Sequence, residues 1–204
     1  KDKGIAINSV KCKMTISGNT IKKCKAYPIY CNPASTSYAI TLKKNIITGN
    51  SKKIDGIRAD SGKLILSSNT ISSCSRAIIL SSKVKGTVYP NTFKKNTYNN
   101  VKVNSSYVNT LTVKSLSGKS KSAKTATLNW KKLSSASGYV VYRSASKNGS
   151  YTKISTIKKN KTITYKDSKL KRKSTYYYKI VPYTTIGKTT VYGLDSKIVS
   201  IKIK

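Results

Sequence analysis

The sequence predicts an all-β chain in two parts: a solenoid of short stacked strands over residues 1–106, then an antiparallel sandwich over residues 107–204. Three observations carry that expectation. An Asn followed two residues later by an apolar side chain returns every 22 to 26 residues in the first half, and the period stops after Tyr107, where longer alternating strands take over. Tyr, at 15, far outnumbers Phe and Trp, at one each, which suits strands with one face in water.

The repeat reads Asn19-Thr20-Ile21-Lys22-Lys23-Cys24, Asn45-Ile46-Ile47-Thr48-Gly49-Asn50, Asn69-Thr70-Ile71-Ser72-Ser73-Cys74 and Asn91-Thr92-Phe93-Lys94-Lys95-Asn96. Three residues before each Asn stands an apolar residue (Ile16, Leu42, Leu66, Val88), and a further apolar position follows the first three units at Ile29, Ile57 and Ile78. A unit of this size cannot bury its apolar side until the next stacks on it, with equivalent residues about 4.8 Å apart. Ile21, Ile47, Ile71 and Phe93 then form an internal apolar ladder. Asn19, Asn45, Asn69 and Asn91 form a structural ladder whose amides bond coil to coil.

In the same register Lys22 and Lys23 lie against Thr48 and Gly49, then Ser72 and Ser73, then Lys94 and Lys95, while Lys43 and Lys44 lie between Ser17-Gly18 and Ser67-Ser68. Polar neutral residues separate these charged pairs, which limits repulsion on the outer wall. Cys24 and Cys74 share one place two coils apart, about 10 Å by the strand spacing and beyond the roughly 7 Å that a disulfide spans. Buried thiols are the favoured reading there; pairing of Cys12 or Cys24 with Cys31 stays open. No Cys-x-x-Cys spacing suggests a metal site.

The pattern over roughly residues 4–104 resembles the right-handed parallel β-helix repeats of the pectate-lyase-like superfold, which includes non-enzymatic surface proteins and polysaccharide-active enzymes. Pro28, Pro33 and Pro90 disturb individual coils. The resemblance implies about four coils. The opening Lys1-Asp2-Lys3-Gly4, running straight into Ile5-Ala6-Ile7, is expected to continue a longer solenoid upstream, whose uncapped strand edges invite self-association.

In the second half the expected strands are Thr110 to Lys114, Thr125 to Lys131, Tyr139 to Arg143, Tyr151 to Thr156, Thr162 to Tyr165, Tyr176 to Pro182 and Lys197 to Lys202, with a turn at Lys147-Asn148-Gly149-Ser150. Trp130 ends the second, Gly138-Tyr139-Val140-Val141-Tyr142 opens the third, and Leu170 precedes Tyr176 by six residues. These residues resemble a fibronectin type III domain, which implies a tyrosine corner at Tyr176 whose hydroxyl bonds back to the main chain. This chain departs from the pattern at Leu170-Lys171-Arg172-Lys173, where a basic cluster replaces the usual Pro and acids. It has no Arg-Gly-Asp sequence, so integrin-style adhesion has no support.

The charge balance bounds the chemistry. Lys and Arg number 41 and the acids 5, all Asp, for a formal net charge of +36; Glu, Gln and His are absent. Histidine triads and ordinary zinc sites are excluded, and paired-carboxylate hydrolysis has few candidates. Asp55 and Asp60 with Arg58 and Arg76 form the local cluster closest to the base and calcium ligands that the lyase resemblance implies. With Ile57 stacked on Ile78, however, Asp55 falls beside Arg76 as an interstrand ion pair worth about 0.2 to 1 kcal/mol, and calcium wants about six to eight oxygens. No cofactor and no catalytic residue are predicted.

Both halves are basic, with 19 cations against 3 acids through residue 106 and 22 against 2 afterwards. A shared bias points to a common anionic environment such as a cell wall, mucin or pectin. Lys22, Lys23, Lys43, Lys44, Lys94 and Lys95 are the predicted polyanion contacts, acting as point charges. Four Arg and no compact basic helix argue against specific nucleic-acid recognition, and no apolar run long enough to span a bilayer predicts membrane insertion. The expected role is a non-catalytic, extracellular, bacterial surface or secreted module for binding, adhesion or spacing. A fragment of a calcium-dependent polysaccharide lyase and a subunit of an extracellular stalk or filament remain the alternatives.

Overall fold

The computed structural model describes residues 4–8, 12–24, 26–33, 35–50, 53–108 and 111–204. Contacts divide the chain into two compact units, Lys1–Thr110 with Thr185–Tyr192, and Leu111–Thr184 with Gly193–Lys204.

Four coils of three short strands build the first unit: β1 (Ile5–Asn8), β2 (Met14–Ser17) and β3 (Thr20–Lys22); β4 (Ile29–Asn32), β5 (Ala39–Lys43) and β6 (Ile46–Thr48); β7 (Ile57–Ala59), β8 (Gly62–Ser67) and β9 (Thr70–Ser72); β10 (Arg76–Leu80), β11 (Val84–Val88) and β12 (Thr92–Lys94). First, second and third strands stack in three separate parallel sheets, the defining arrangement of a parallel β-helix. β13 (Tyr98–Val103) pairs parallel with β10, and β14 (Ser106–Val108) turns back antiparallel on it.

Register follows the repeat. Ile21, Ile47, Ile71 and Phe93 are consecutive rungs of one sheet, Ile16, Leu42, Leu66 and Val88 of a second, and Ile29, Ile57 and Ile78 of the third. Alternation sends these side chains inward, into one core with Ile40, Leu64 and Leu80. The Asn column closes the corner between the second and third strands. Asn69 Oδ1 accepts from both the main-chain N and the Nδ2 of Asn45, each at 3.0 Å, while its own Nδ2 donates to Asn91 Oδ1 at 2.9 Å and to Leu42 O at 2.9 Å. Asn45 Oδ1 does the same for Asn19, at 3.0 and 3.1 Å. Asn45 and Asn69 are fully buried, so the amides satisfy backbone that the corner takes out of the sheets.

The second unit is an antiparallel sandwich. One sheet contains β15 (Ser117–Lys119), β16 (Ala126–Asn129) and β19 (Thr164–Asp167); the other is built on β17 (Gly138–Ser144), β18 (Thr152–Ile157), β20 (Thr175–Ile186) and β22 (Val199–Lys202). Their inner faces bury Leu128, Trp130, Tyr139, Val141, Tyr178, Ile180 and Ile201 in one cluster. Trp130 meets Tyr139 edge-on at 5.4 Å, and Lys171 N donates to the Tyr176 hydroxyl at 3.3 Å. The first expected strand, Thr110 to Lys114, is replaced. Residue 110 lies outside the described residues, Thr112 makes an isolated bridge to Leu194, and pairing resumes only at β15, because Ser115 takes a left-handed φ of 61° that interrupts an extended chain.

β21 (Thr189–Tyr192) belongs to the first unit despite its late position in the chain. It adds a parallel strand to β11, pairing Thr190 with Thr87 and Val191 with Val88. Thr189, which is buried, accepts from Gly86 N at 3.3 Å and donates to Val84 O at 3.1 Å, and the Tyr89 and Tyr192 rings stack at 5.1 Å.

Candidate functional site

The acids identify which cations are left to act. Each of the four described Asp residues is paired: Asp55 with Arg76 at 2.8 Å, Asp60 with Arg58 at 3.0 Å, Asp167 with Arg143 at 2.9 Å and Asp195 with Lys179 at 2.7 Å. Asp55 is 4% exposed and holds Arg76 in a fork, Nε to Oδ1 and Nη2 to Oδ2. That hydrogen bond, above all, raises the Arg76 pKa. The interstrand pair expected from the strand register is thus present, but with Asp55 buried; removing Arg76 strands that carboxylate, at a cost of about 3 kcal/mol rather than the small value of an exposed pair.

Asp60 is equally engaged, accepting from the Tyr30 hydroxyl at 2.8 Å, while Arg58 donates to the Tyr27 hydroxyl at 3.2 Å and lies over the Tyr27 ring. Asp167 accepts from Arg143 and from the buried Tyr178 hydroxyl, both at 2.9 Å. Burial first, and then the bond to Asp167, push the Tyr178 pKa far above the ordinary tyrosine range. The candidate lyase residues thus form two closed ion pairs.

Lys22, Lys23, Lys43, Lys44, Lys94 and Lys95 are all exposed. They occupy two corners of the coil. Lys22 and Lys94 end β3 and β12, and Lys23 and Lys95 follow them, three coils apart and so separated by about 14 Å, with Thr48 and Ser72 between Lys22 and Lys94. Lys43-Lys44 sits before the Asn column, on the other side of the short third strand. The six make three spaced pairs on two corners rather than one cluster. Lys63 and Lys85, not among the predicted contacts, stack directly on neighbouring coils.

The corners show a feature the repeat did not announce. Ten described non-glycine residues have positive φ, and six of them are lysines: Lys23, Lys44, Lys95, Lys124, Lys169 and Lys173, at 53 to 59°. Gly and Asn hold this conformation with least strain, whereas another side chain costs about 1 to 2 kcal/mol. Gly18, at the place equivalent to Lys44, is the sequence signal that could have marked it.

The cysteines are free thiols, Cys12 exposed and Cys24, Cys31 and Cys74 buried. Burial raises Cys31 to about 12 and, as the largest cause, Cys74 to about 11, so both stay protonated in neutral solution.

A parallel β-helix and an antiparallel sandwich define an all-β repeat protein with an appended β-sandwich domain. The chain belongs to the family described as NosD, periplasmic copper-binding protein, whose profile matches residues 1–122. Among solved structures, an Fn3-like protein from Clostridium thermocellum is 29% identical, over 44% of this chain and 88% of that one, with a TM-score of 0.38. The sixth fibronectin type III domain of human fibronectin type III domain containing protein 3 is 19% identical, over 47% and 87%, with a TM-score of 0.39. No curated protein matches. No helix among the described residues is long and apolar enough to cross a membrane.

Proposed function

We propose that this chain is a non-catalytic module of the bacterial cell exterior that binds anionic polysaccharide or cell-wall polymer through the lysine-bearing corners of its β-helix. One observation carries the reading. The six corner lysines are exposed, three of them at strained left-handed positions, while every described acid is already paired. A positive field without nearby compensation attracts polyanions and releases their counterions. A family described as periplasmic supports an extracytoplasmic setting.

The family description also names copper, and the donors here do not fit that ion. The sequence has no His and one Met, no three of His, Cys, Asp or Glu come together among the described residues, and burial holds Cys31 and Cys74 as thiols rather than thiolates. No metal step enters the proposal.

The test is a panel of polygalacturonate, teichoic-type polymer, sulfated glycan and neutral dextran, titrated at low and at physiological salt. One anionic polymer is expected to remain preferred at physiological salt, and replacing all six corner lysines by Gln is expected to weaken it at least tenfold. Equal binding to every polyanion, lost uniformly with salt, would overturn the reading.

A further inference from the structure

The second unit has its own concentration of unpaired cations. A shallow, widely open cavity of about 630 Å³ is lined by Lys124, Lys169, Leu170, Lys171 and Arg172, with no acid on its wall. Two turns distant in sequence meet there: Leu170 N donates to Lys124 O at 3.0 Å, and Lys173 N to Ile203 O at 2.9 Å. The Lys171 bond to the Tyr176 hydroxyl ties the same loop to the sandwich. The backbone of the basic loop is thus held, although its charged ends face water.

Arg172 separates this place from a merely solvated charge run. Of the four Arg residues, Arg58, Arg76 and Arg143 are each committed to an Asp. Arg172 is exposed, and among the described residues it has neither an acid nor an aromatic partner. A guanidinium offers a planar fork matched to a carboxylate, sulfate or phosphate. Lys124, Lys169 and Lys173 flank it, each at a φ of 59°, where Gly would be less strained. The nearest acid in sequence, Asp167, is buried and occupied by Arg143 and Tyr178.

We propose that this cavity is a second binding site, which receives an oxyanion substituent of an acidic glycan in the fork of Arg172, with Lys124, Lys169 and Lys171 neutralising its charge. The site rests on the reading above for the class of polymer, but not for its place. Leu170 is buried in the sandwich core beneath the loop and anchors it there.

Full-length chain is titrated at physiological salt with polygalacturonate, dextran sulfate, inorganic phosphate, neutral dextran and a DNA oligonucleotide of matched charge. Polygalacturonate and dextran sulfate distinguish carboxylate from sulfate recognition, and phosphate reports the bare anion. At least one acidic glycan is expected to bind more tightly than dextran and DNA, shifting the amide resonances of residues 171–173. Arg172→Ala should weaken it about tenfold, and Arg172→Lys should recover only part, since the ammonium keeps the charge but loses the fork. Lys169→Gln should weaken it less than Arg172→Ala. Binding of both Arg172 variants within twofold of wild type, or DNA binding as tight and as dependent on Arg172, would overturn the proposal. Loss on replacing the six β-helix lysines with no response to Arg172 would retain the first site and reject this one. The converse pattern would reject the first.

Discussion

Asn69 is a single side chain that serves three successive coils. Its Oδ1 accepts two bonds from Asn45, and its Nδ2 donates to Asn91 and Leu42. Asn69→Ala should therefore leave the buried main-chain N of Asn45 without its acceptor, leave the Asn45 amide with its bond to Ile16 O alone, and destabilise the β-helix by about 3 kcal/mol, read from the midpoint of urea unfolding. Asn19, at the exposed end of the column, should tolerate Ala with a loss of about 1 kcal/mol. The Cys31 thiol makes a prediction in pH. Its pKa is raised from 9.0 to about 12, so the folded chain holds that proton more tightly than the unfolded one. The benefit is whole below pH 9 and is lost as pH rises from about 9 towards 12, at no more than about 1.4 kcal/mol per pH unit. Cys31→Val should flatten that limb in an alkaline unfolding series. Native labelling should modify the exposed Cys12 and spare Cys31 and Cys74 until the chain unfolds.

At the scale of elements, the coils follow directly from the repeat, because a side chain one rung above another must fill the same space and meet the same bonding partners. β21 follows no such rule. Its Thr189-Thr190-Val191-Tyr192 alternates like any edge strand, and its attachment to β11 depends on an unpaired backbone edge that only the completed fourth coil presents. Thr189→Val should remove both buried hydroxyl bonds, cost about 2 kcal/mol and accelerate hydrogen exchange at Gly86. Gly86→Ala should act on the same contact from the other side, since an added Cβ would lie 2.9 Å from both Thr189 Cγ2 and Oγ1. In the sandwich, the expectation of a strand at Thr110 to Lys114 came from alternation alone. A backbone reversal at Ser115, a small polar residue with no Gly or Pro beside it, leaves no such trace in the pattern.

At the scale of the whole molecule, the charge of +36 is a statement about lysine. The described Asp residues and three of the Arg residues neutralise one another or pair with Lys179, leaving the remaining lysines and Arg172 to set the outward field. Engagement of six lysines by a dense polyanion should lose about 10³ in affinity between 50 and 200 mM salt, and the six-fold Gln variant should show a much flatter slope. That slope, measured by titration across salt, separates a field spread over both units from contacts at the β-helix corners. The sequence by itself determined the stacking of the coils and the inward face of the sandwich strands, since periodic apolar and Asn positions satisfy packing and hydrogen bonding in one register. Tertiary structure alone decided that the Asp55 partner of Arg76 would be buried, that Arg172 would find no acid among the described residues, and that residues 185–192 would join the β-helix. Each of those outcomes depends on which distant groups the folded backbone brings within a few ångströms, and local pattern carries no information about that distance.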